Sequence, residues 1–230
     1  MLEISGYPLH ARFIVRQNRF TATVEYNGAH FTAHVPTTGR MRELLLPGAE
    51  VTIVERAHPG RSTDYDLVMV RRGATWVSID SRVPNRLLES CFRTGILPEF
   101  RDWIFSRREV PLGESRLDFL LERERERCWV ESKSVTLVRD GTAFFPDAPT
   151  KRGARHLAEL AQKREEGDHA AIIFVIQRSD ALRFSPNRET DPEFARSLEH
   201  ALQRGVAVYA YTCRVLPERI DIDHLVEVCL

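Results

Sequence analysis

The chain has 230 residues, of which 43% are hydrophobic and 29% are charged, and its 33 basic and 33 acidic side chains give a formal net charge of +0. This composition is typical of a globular protein and excludes disordered and fibrous chains, and the longest apolar run, 170–176, is far too short to cross a membrane. The segment 1–9 lacks the basic start of a signal peptide, so we expect a cytoplasmic protein that does not bind membranes.

From residue 12 to residue 80 the sequence predicts short strands separated by turns. The candidate strands are rich in β-branched and aromatic residues, and they are Arg19–Tyr26, Ala29–Val35, Glu50–Ala57, Tyr65–Arg72 and Ala74–Asp80. Strands at this spacing predict a small β-barrel or a sandwich, interrupted by a short helix near Met41–Leu46. An oligonucleotide-binding (OB) barrel is the form we expect.

The pattern changes at Val83-Pro84, and we place a domain boundary there, with a first domain of residues 1–82 and a second of residues 83–230. The second domain alternates strands with helices, which predicts an α/β domain whose mixed sheet is flanked by helices. Its expected elements are a helix at Asn85–Arg93 capped by Asn85, strands Ser115–Leu121 and Cys128–Val138 joined by a hairpin at Glu122–Arg127, helices Thr150–Glu166 and Asp191–Arg204, and strands His169–Ile176 and Val206–Cys213.

Three residues in the predicted hairpin have the chemistry of a metal-dependent nuclease. Asp118 lies inside the first strand and Glu131 inside the second, so their carboxylates can lie side by side, and Lys133 shares the face of Glu131. Carboxylate oxygens hold Mg²⁺, and a lysine can orient the attacking water. The arrangement matches the PD-(D/E)xK nuclease core.

The alternative is that Glu131 and Lys133 form an ordinary surface ion pair. Three observations favour the nuclease arrangement. The acids lie within apolar strands, and Asp118 precedes Glu131 by the length of a hairpin. The chain also uses lysine at only three of its 33 basic positions, Lys133, Lys151 and Lys163, so a lysine here indicates a need for a compact, titratable ammonium.

Two clusters of basic residues are candidates for contacts with nucleic acid. The first is in the predicted barrel and comprises Arg12, Arg16 and Arg19, interleaved with aromatic residues, and Arg40 and Arg42 in a polar loop. The second is at the start of a predicted helix and comprises Lys151, Arg152 and Arg155. For Arg12, Arg16 and Arg19 the alternative is an exposed strand edge, and for the loop with Arg40 and Arg42 it is a capped turn. His156 beside the second cluster is expected to be a packed helix residue.

The four cysteines are scattered along the chain, without a CxxC pair or zinc-finger spacing. They predict buried free thiols rather than disulfides or a zinc module.

The chain resembles the sugar fermentation stimulation protein family, SfsA. The matching stretches occur in order along nearly the whole chain, and they are NRF at 18–20, AHVPTTGRMRELLLPG at 33–48, WVSID at 76–80, PNRLLE at 84–89, SRLDF at 115–119, WVESKSVTL at 129–137, FPDAPTKRGARHLAEL at 145–160 and FVIQRSD at 174–180.

The resemblance implies an N-terminal OB-like barrel, a C-terminal restriction-endonuclease-like domain and DNA binding, in a cytoplasmic protein linked to the regulation of sugar (maltose) metabolism. Asp118, Glu131 and Lys133 match the nuclease-like motif of the family, with Leu117 in place of the usual proline, and Glu89 is a further acid to consider.

The resulting hypothesis is a protein that binds DNA without strong sequence preference, in which Asp118, Glu131 and the Ser132 carbonyl hold Mg²⁺ or Mn²⁺ and Lys133 positions the attacking water. The rival is a non-catalytic DNA-binding regulator that keeps the site as a relic. RNA or a nucleotide second messenger stays open as the ligand, and the sequence does not fix the oligomeric state.

Overall fold

The computed structural model describes residues 1–56, 60, 62–113 and 115–230; Ala57, the last residue of one predicted strand, lies outside this set. In the described residues the strands are β1 (Leu2–Glu3), β2 (Pro8–Asn18), β3 (Thr21–Tyr26), β4 (Ala29–His34), β5 (Glu50–Glu55), β6 (Tyr65–Arg72), β7 (Thr75–Ser78), β8 (Ile104–Leu112), β9 (Ser115–Arg123), β10 (Glu126–Val135), β11 (Leu137–Arg139), β12 (Thr142–Phe145), β13 (His169–Ile176), β14 (Arg183–Pro186), β15 (Ala207–Leu216), β16 (Arg219–Leu225) and β17 (Glu227–Val228). The helices are α1 (Val83–Thr94), α2 (Lys151–Glu165) and α3 (Pro192–Gln203), with a 3₁₀ turn at Pro98–Phe100.

Strands β2 to β6 close into a barrel. Antiparallel pairings join β2 to β3 and β5, β3 to β4, and β5 to β6, and a parallel pairing of β4 with β6 completes the ring. Ala22 and Val24 are buried while Thr21 and Thr23, which alternate with them, are partly exposed, because alternate side chains of a strand point to opposite faces. This five-stranded ring confirms the expected OB-type barrel.

The second part of the chain forms a mixed seven-stranded sheet in the order β1-β16-β15-β13-β10-β9-β8. The central strands β10, β13 and β15 are parallel, and the remaining pairings are antiparallel. Strand β13 is a continuous apolar run because both of its faces are covered. A small second sheet, β11-β12-β14-β17, lies beside it.

Helices cover both faces of the large sheet, as the α/β pattern predicts. One face, which includes Ile173 and Val175 of β13, packs against Leu87 and Leu88 of α1. The other face, which includes Phe174, packs against α2 and α3. The sheet is therefore the middle of three layers, and α1 and α2 lie on opposite sides of its central strands.

The barrel shares a core with the sheet. Val54, Val68 and Met69 of the barrel belong to the same buried cluster as α1. The Ser78 hydroxyl at the end of β7 donates to Gln177 Oε1 (2.9 Å), and the Gln177 amide donates to Ser134 Oγ on β10 (2.8 Å). These buried contacts fix the position of the barrel relative to β10.

Three expectations about local structure are wrong. Residues 41–46 form a turn rather than a helix, in which the amides of Leu44 and Leu45 donate to the Met41 carbonyl. Asn85 does not cap α1, because the helix begins at Val83 and the Asn85 amide is used elsewhere.

The third is the single strand Cys128–Val138, which is two strands in different sheets, β10 ending at Val135 and β11 beginning at Leu137. The sequence also does not predict β1, β2, β8, β12, β14, β16 and β17, and of these β8 is an edge strand whose mostly exposed residues do not alternate regularly. Thr150 and Asp191 cap α2 and α3, since the side chain of each accepts a hydrogen bond from an amide in the first turn of its helix.

The four cysteines are free thiols, and Cys91, Cys128 and Cys213 are buried, as predicted. Among the described residues, no helix is both long and apolar enough to span a membrane.

Candidate functional site

Strands β9 and β10 separate at the level of Asp118. Their antiparallel pairing runs from Arg123 and Glu126 to Phe119 and Val130. Beyond that point side chains replace the backbone pairs: the Asp118 amide donates to Glu131 Oε2 (3.3 Å), and the Ser132 amide donates to Asp118 Oδ2 (2.8 Å). We call this opening, formed by Asp118, Glu131 and Ser132, the strand gap. It brings together the two acids that the sequence predicts to be neighbours.

Helix α1 holds one side of the strand gap through Asn85. The Asn85 amide donates to Asp118 Oδ1 (2.7 Å). The Ser132 hydroxyl lies within hydrogen-bond distance of both Asn85 Oδ1 and Asp118 Oδ2, the latter at 2.9 Å. Asp118 is therefore held by donors from α1 and β10.

Helix α2 holds the other side through His156. The Lys133 ammonium donates to Glu131 Oε1 (2.5 Å), as expected for residues two apart on one strand face. Nδ1 of His156 also donates to Glu131 Oε1 (2.5 Å), and Nε2 of the same ring accepts from Arg152 Nε (3.2 Å). Because Nε2 accepts from Arg152, the ring nitrogen that donates to Glu131 is Nδ1.

The two carboxylates have opposite pKa shifts. Burial and the nearby charge of Glu131 raise the pKa of Asp118 above its ordinary value. Burial also acts to raise the pKa of Glu131, but the charge of Lys133 and the hydrogen bond from His156 outweigh it, and the pKa of Glu131 is lowered. The neighbouring acids thus repel each other, and Glu131 is the one that stays ionised most readily.

The oxygen atoms at the strand gap fit a hard divalent cation. Asp118 Oδ1 and Glu131 Oε2 each accept one hydrogen bond within the protein. The N–H and C=O of one strand residue point to the same side, so the Ser132 carbonyl faces the gap that its amide faces. Mg²⁺ commonly uses one or two carboxylates and takes its other ligands from water or phosphate. The described residues contain no cluster of three or more His, Cys, Asp or Glu side chains able to hold a metal.

Two residues of this site were not recognised from the sequence. His156 is buried as expected of a packed helix residue, but its ring also binds Glu131. Asn85 is expected from the sequence to cap a helix, but its side-chain amide binds Asp118 instead. Neither carries a spacing signal, because both come from helices that the fold brings to the sheet from opposite faces. Glu89, one turn after Asn85, is instead bound by Arg93 and Arg108.

Four of the predicted nucleic-acid residues meet in one cleft on the barrel. The cleft has a volume of about 520 Å³, and its lining residues are Arg16, Asn18, Arg19, Thr38, Gly39, Arg40, Arg42 and Ala148. We call it the arginine cleft. No acidic side chain is among these lining residues, so a chain with no net charge carries a local excess of positive charge here.

Arg16 shapes this cleft from within. Its guanidinium donates to the carbonyls of Gly39 (2.8 Å), Arg40 (2.8 Å) and Arg19 (2.6 Å). Burial lowers the pKa of Arg16, partly offset by the charge of Asp147. Asp147 also accepts from the Arg40 amide (2.8 Å), which anchors the loop to the segment before α2. Arg19, Arg40 and Arg42 are exposed beside this scaffold.

The other predicted basic residues lie elsewhere. Arg12 lies in a separate concavity beside Glu25 and Glu50, its partners in the neighbouring strands. Lys151, Arg152 and Arg155 lie in the first turns of α2, where Lys151 and Arg155 are exposed and Arg152 contacts His156. The fold therefore separates Arg12 from the arginine cleft and places the start of α2 beside the strand gap.

Comparison with known families accounts for almost the whole chain. Residues 14–79 match the SfsA N-terminal OB domain, and residues 82–219 match the sugar fermentation stimulation protein RE domain. The chain belongs to the sugar fermentation stimulation protein family, and its fold is an OB barrel followed by a restriction-endonuclease-like domain.

Individual relatives are similar to this chain over nearly their full length. The sugar fermentation stimulation protein homolog of Caldanaerobacter subterraneus subsp. tengcongensis is 44% identical over 222 residues, which cover 96% of this chain and 97% of the relative. The homolog of Moorella thermoacetica is 44% identical over 224 residues, with 96% and 97% coverage. The structure of Pyrococcus furiosus SfsA in complex with Ca²⁺ is similar over 100% of both chains, at 30% identity and a TM-score of 0.91.

Proposed function

We propose that this member of the sugar fermentation stimulation protein family binds DNA and has a Mg²⁺- or Mn²⁺-dependent phosphodiesterase site at Asp118, Glu131 and Lys133. The observation that carries the proposal is the strand gap, where two acids of opposite pKa shift, a backbone carbonyl and a lysine meet. A site for structure alone gains little from burying two carboxylates close enough to repel each other.

The residues of the strand gap have separable tasks. A divalent cation held by Asp118, Glu131 and the Ser132 carbonyl would polarise a phosphodiester and acidify a water molecule. Lys133, whose ammonium is already held beside Glu131, would position that water and offset charge that develops on the phosphate. His156 holds Glu131 Oε1, so that Oε2 faces Asp118.

The family supports the choice of a hard cation. The Pyrococcus furiosus relative, whose fold is similar over its full length, was solved in complex with Ca²⁺. Calcium, like magnesium, takes oxygen ligands, and the strand gap offers oxygen ligands from two carboxylates and one carbonyl. Mg²⁺ or Mn²⁺ is proposed for this chain because both support phosphodiester hydrolysis.

The arginine cleft supports DNA as the substrate. Arginine side chains bind phosphate oxygens, and loops at the edge of OB barrels commonly bind oligonucleotides. Ala148 lines the cleft and is followed three residues later by Lys151 at the start of α2, which leads to His156 and Glu131. A DNA backbone bound in the cleft would therefore lie near the start of α2, the helix whose His156 contacts Glu131.

A second candidate is a non-catalytic DNA-binding regulator of sugar (maltose) metabolism. One observation favours it: both oxygens of Asp118 and both oxygens of Glu131 already accept hydrogen bonds from the protein. The site is thus internally satisfied without a cation, as a relic retained for stability would be.

Cleavage and binding measured together separate these two candidates. Supercoiled, linear and single-stranded DNA are incubated with the protein in Mg²⁺, Mn²⁺ or EDTA, alongside Asp118→Asn and Lys133→Ala. Lys163→Ala is the matched control, because Lys163 pairs with Glu166 at the C-terminal end of α2 and not with Glu131. Cleavage that needs metal and is lost in the two site variants but not in the control supports the phosphodiesterase. Binding without cleavage under any metal, unchanged in all variants, supports the regulator.

A further inference from the structure

We infer that the arginine cleft, together with the neighbouring Phe20, takes single-stranded DNA, with phosphates on Arg19, Arg40 and Arg42 and an unpaired base on the Phe20 ring. The inference rests on the proposed function, since it names the form of DNA that this protein holds. Three observations support it: an exposed aromatic ring beside the cleft, the concave shape of the cleft, and arginines in it that are exposed and form no salt bridge in the described part of the chain.

Phe20 is an exposed aromatic side chain at the edge of the cleft. It follows Arg19 in the connection between β2 and β3, and 46% of its surface is exposed. The Arg19 guanidinium lies 5.7 Å from the ring centre, and the His34 ring stacks near it at 6.4 Å with an interplanar angle of 25°. Burial in a hydrophobic core does not account for this ring, whereas a base stacked on it would cover it.

Stacking of this kind requires an unpaired base. The faces of bases in a duplex are covered by their neighbours, whereas a single strand exposes them to aromatic side chains. A duplex is read by an element that enters its groove, such as a helix or a two-stranded ribbon. The arginine cleft is concave, with about 520 Å³ of space, so it receives a chain rather than entering a groove.

The cations at the cleft are available to phosphates. In the described part of the chain, Arg19, Arg40 and Arg42 form no salt bridge, although 33 acidic residues are present in the sequence. Arg16 holds the loop in place through three backbone carbonyls. The backbone that carries Arg19 and Arg40 is therefore held in place before a ligand binds, which lowers the entropy that this backbone loses on binding.

Fluorescence anisotropy in EDTA tests the inference without cleavage. The probes are a labelled oligo-dT and a labelled mixed-sequence duplex of equal length, each titrated at several salt concentrations. We expect oligo-dT to bind about tenfold more tightly than the duplex, and Phe20→Ala and Phe20→Leu to weaken oligo-dT binding about tenfold through loss of stacking. Tyr7→Ala, at a more exposed aromatic residue outside the cleft, should change neither affinity.

The salt dependence tests the arginines separately. For oligo-dT, log affinity falls as log salt rises, and each phosphate contact on a single strand contributes about 0.7 to the steepness of this fall. The double variant Arg40→Ala with Arg42→Ala should therefore make the slope shallower by about 1.4. Arg72→Ala, an exposed arginine elsewhere on the barrel, should leave the slope unchanged. An unchanged slope in the double variant overturns the assignment of the cleft.

The outcomes also distinguish this inference from the proposed function. Duplex binding equal to or tighter than oligo-dT binding, or equal effects of the Phe20 and Tyr7 variants, overturns the single-strand inference. If metal-dependent cleavage of duplex DNA then persists, the proposed function stands. If the parent protein binds no form of DNA, both the single-strand inference and the proposed function are overturned.

Discussion

Nδ1 of His156 lies 2.5 Å from Oε1 of Glu131, so a buried helix side chain holds an acid of the central strand β10. Arg152 binds the opposite nitrogen of the same ring, which keeps the proton on the side of Glu131. The orientation of Glu131 therefore depends on α2 as well as on its own strand. In known metal sites, mutating a group that orients a ligand in this way typically lowers metal affinity about 10- to 100-fold.

Replacing His156 is expected to weaken metal binding. In His156→Leu, Glu131 Oε1 loses a donor, and we expect Mn²⁺ affinity measured by calorimetry to fall about 10- to 100-fold. His156→Asn keeps an N–H donor near the position of Nδ1 and should retain most of the affinity. Equal losses in both variants would instead indicate a general packing defect.

Divalent cations are expected to stabilise the protein. A cation that binds only the folded state at 100 times its Kd adds about 2.7 kcal/mol to the free energy of unfolding. Thermal unfolding in Mg²⁺, Mn²⁺ or Ca²⁺ should occur at a higher temperature than in EDTA, and Asp118→Asn and Glu131→Gln should abolish the difference. Glu89→Gln is the control, because Glu89 is bound by Arg93 and Arg108 outside the strand gap. A metal-induced rise that survives in the Asp118 and Glu131 variants would place the cation elsewhere.

Gly39 is expected to be intolerant of a side chain because of Asp147. A Cβ on Gly39 would lie 2.9 Å from Asp147 Oδ2, the atom that accepts from the Arg40 amide. Gly39→Ala should therefore displace the loop of the arginine cleft and weaken DNA binding. In a double-mutant cycle with Asp147→Ala, binding free energies should be non-additive, because the second change removes the clash. Additive effects would show that the two residues act independently.

The Arg178–Asp180 pair is expected to give pH-dependent stability in acid. Burial would raise the pKa of Asp180, but its two hydrogen bonds from Arg178 outweigh burial and lower the pKa. A lowered pKa means that ionised Asp180 stabilises the fold above the unfolded pKa of about 3.9, and that this contribution is lost as the pH falls through the lower folded pKa.

Denaturant unfolding of Asp180→Asn measures this contribution. The difference in free energy of unfolding from the parent should be largest near neutral pH and should shrink below about pH 4. We expect a difference on the order of 1 kcal/mol, because Asp180 is partly exposed and solvent screens the pair. A difference that is independent of pH would mean that the charge of Asp180 does not stabilise Arg178.

The strand pattern and the acid pair could be read from the sequence because they depend on local periodicity. Glu131 and Lys133 share a face since side chains alternate along a strand, and the hairpin between Asp118 and Glu131 brings the acids together. The family resemblance was confirmed by matches to both domain models. The boundary at residue 82 and the roles of the site residues stay predictions.

The remaining features depend on contacts between distant parts of the chain. Asn85 reaches Asp118 from the opposite face to that used by His156, and neither contact has a sequence signature. Arg12 and Arg16 lie on the same strand, but their side chains line different concavities of the barrel. Strand β8 is an exposed edge strand in which hydrophobic and polar residues do not alternate regularly. These contacts and positions are set by tertiary packing, which the local residue pattern of a single sequence does not reveal.

The apolar cluster shared by the barrel and α1 limits how this protein can be divided. A cut after residue 82 would separate Val54, Val68 and Met69 from the helix that covers them, and would leave the Gln177 side chain without Ser78. Each fragment would expose an apolar surface and be prone to aggregate when expressed alone. For the same reason, a chimera that takes its barrel from one relative and its second domain from another should fold well only if the residues on both sides of this cluster come from the same parent.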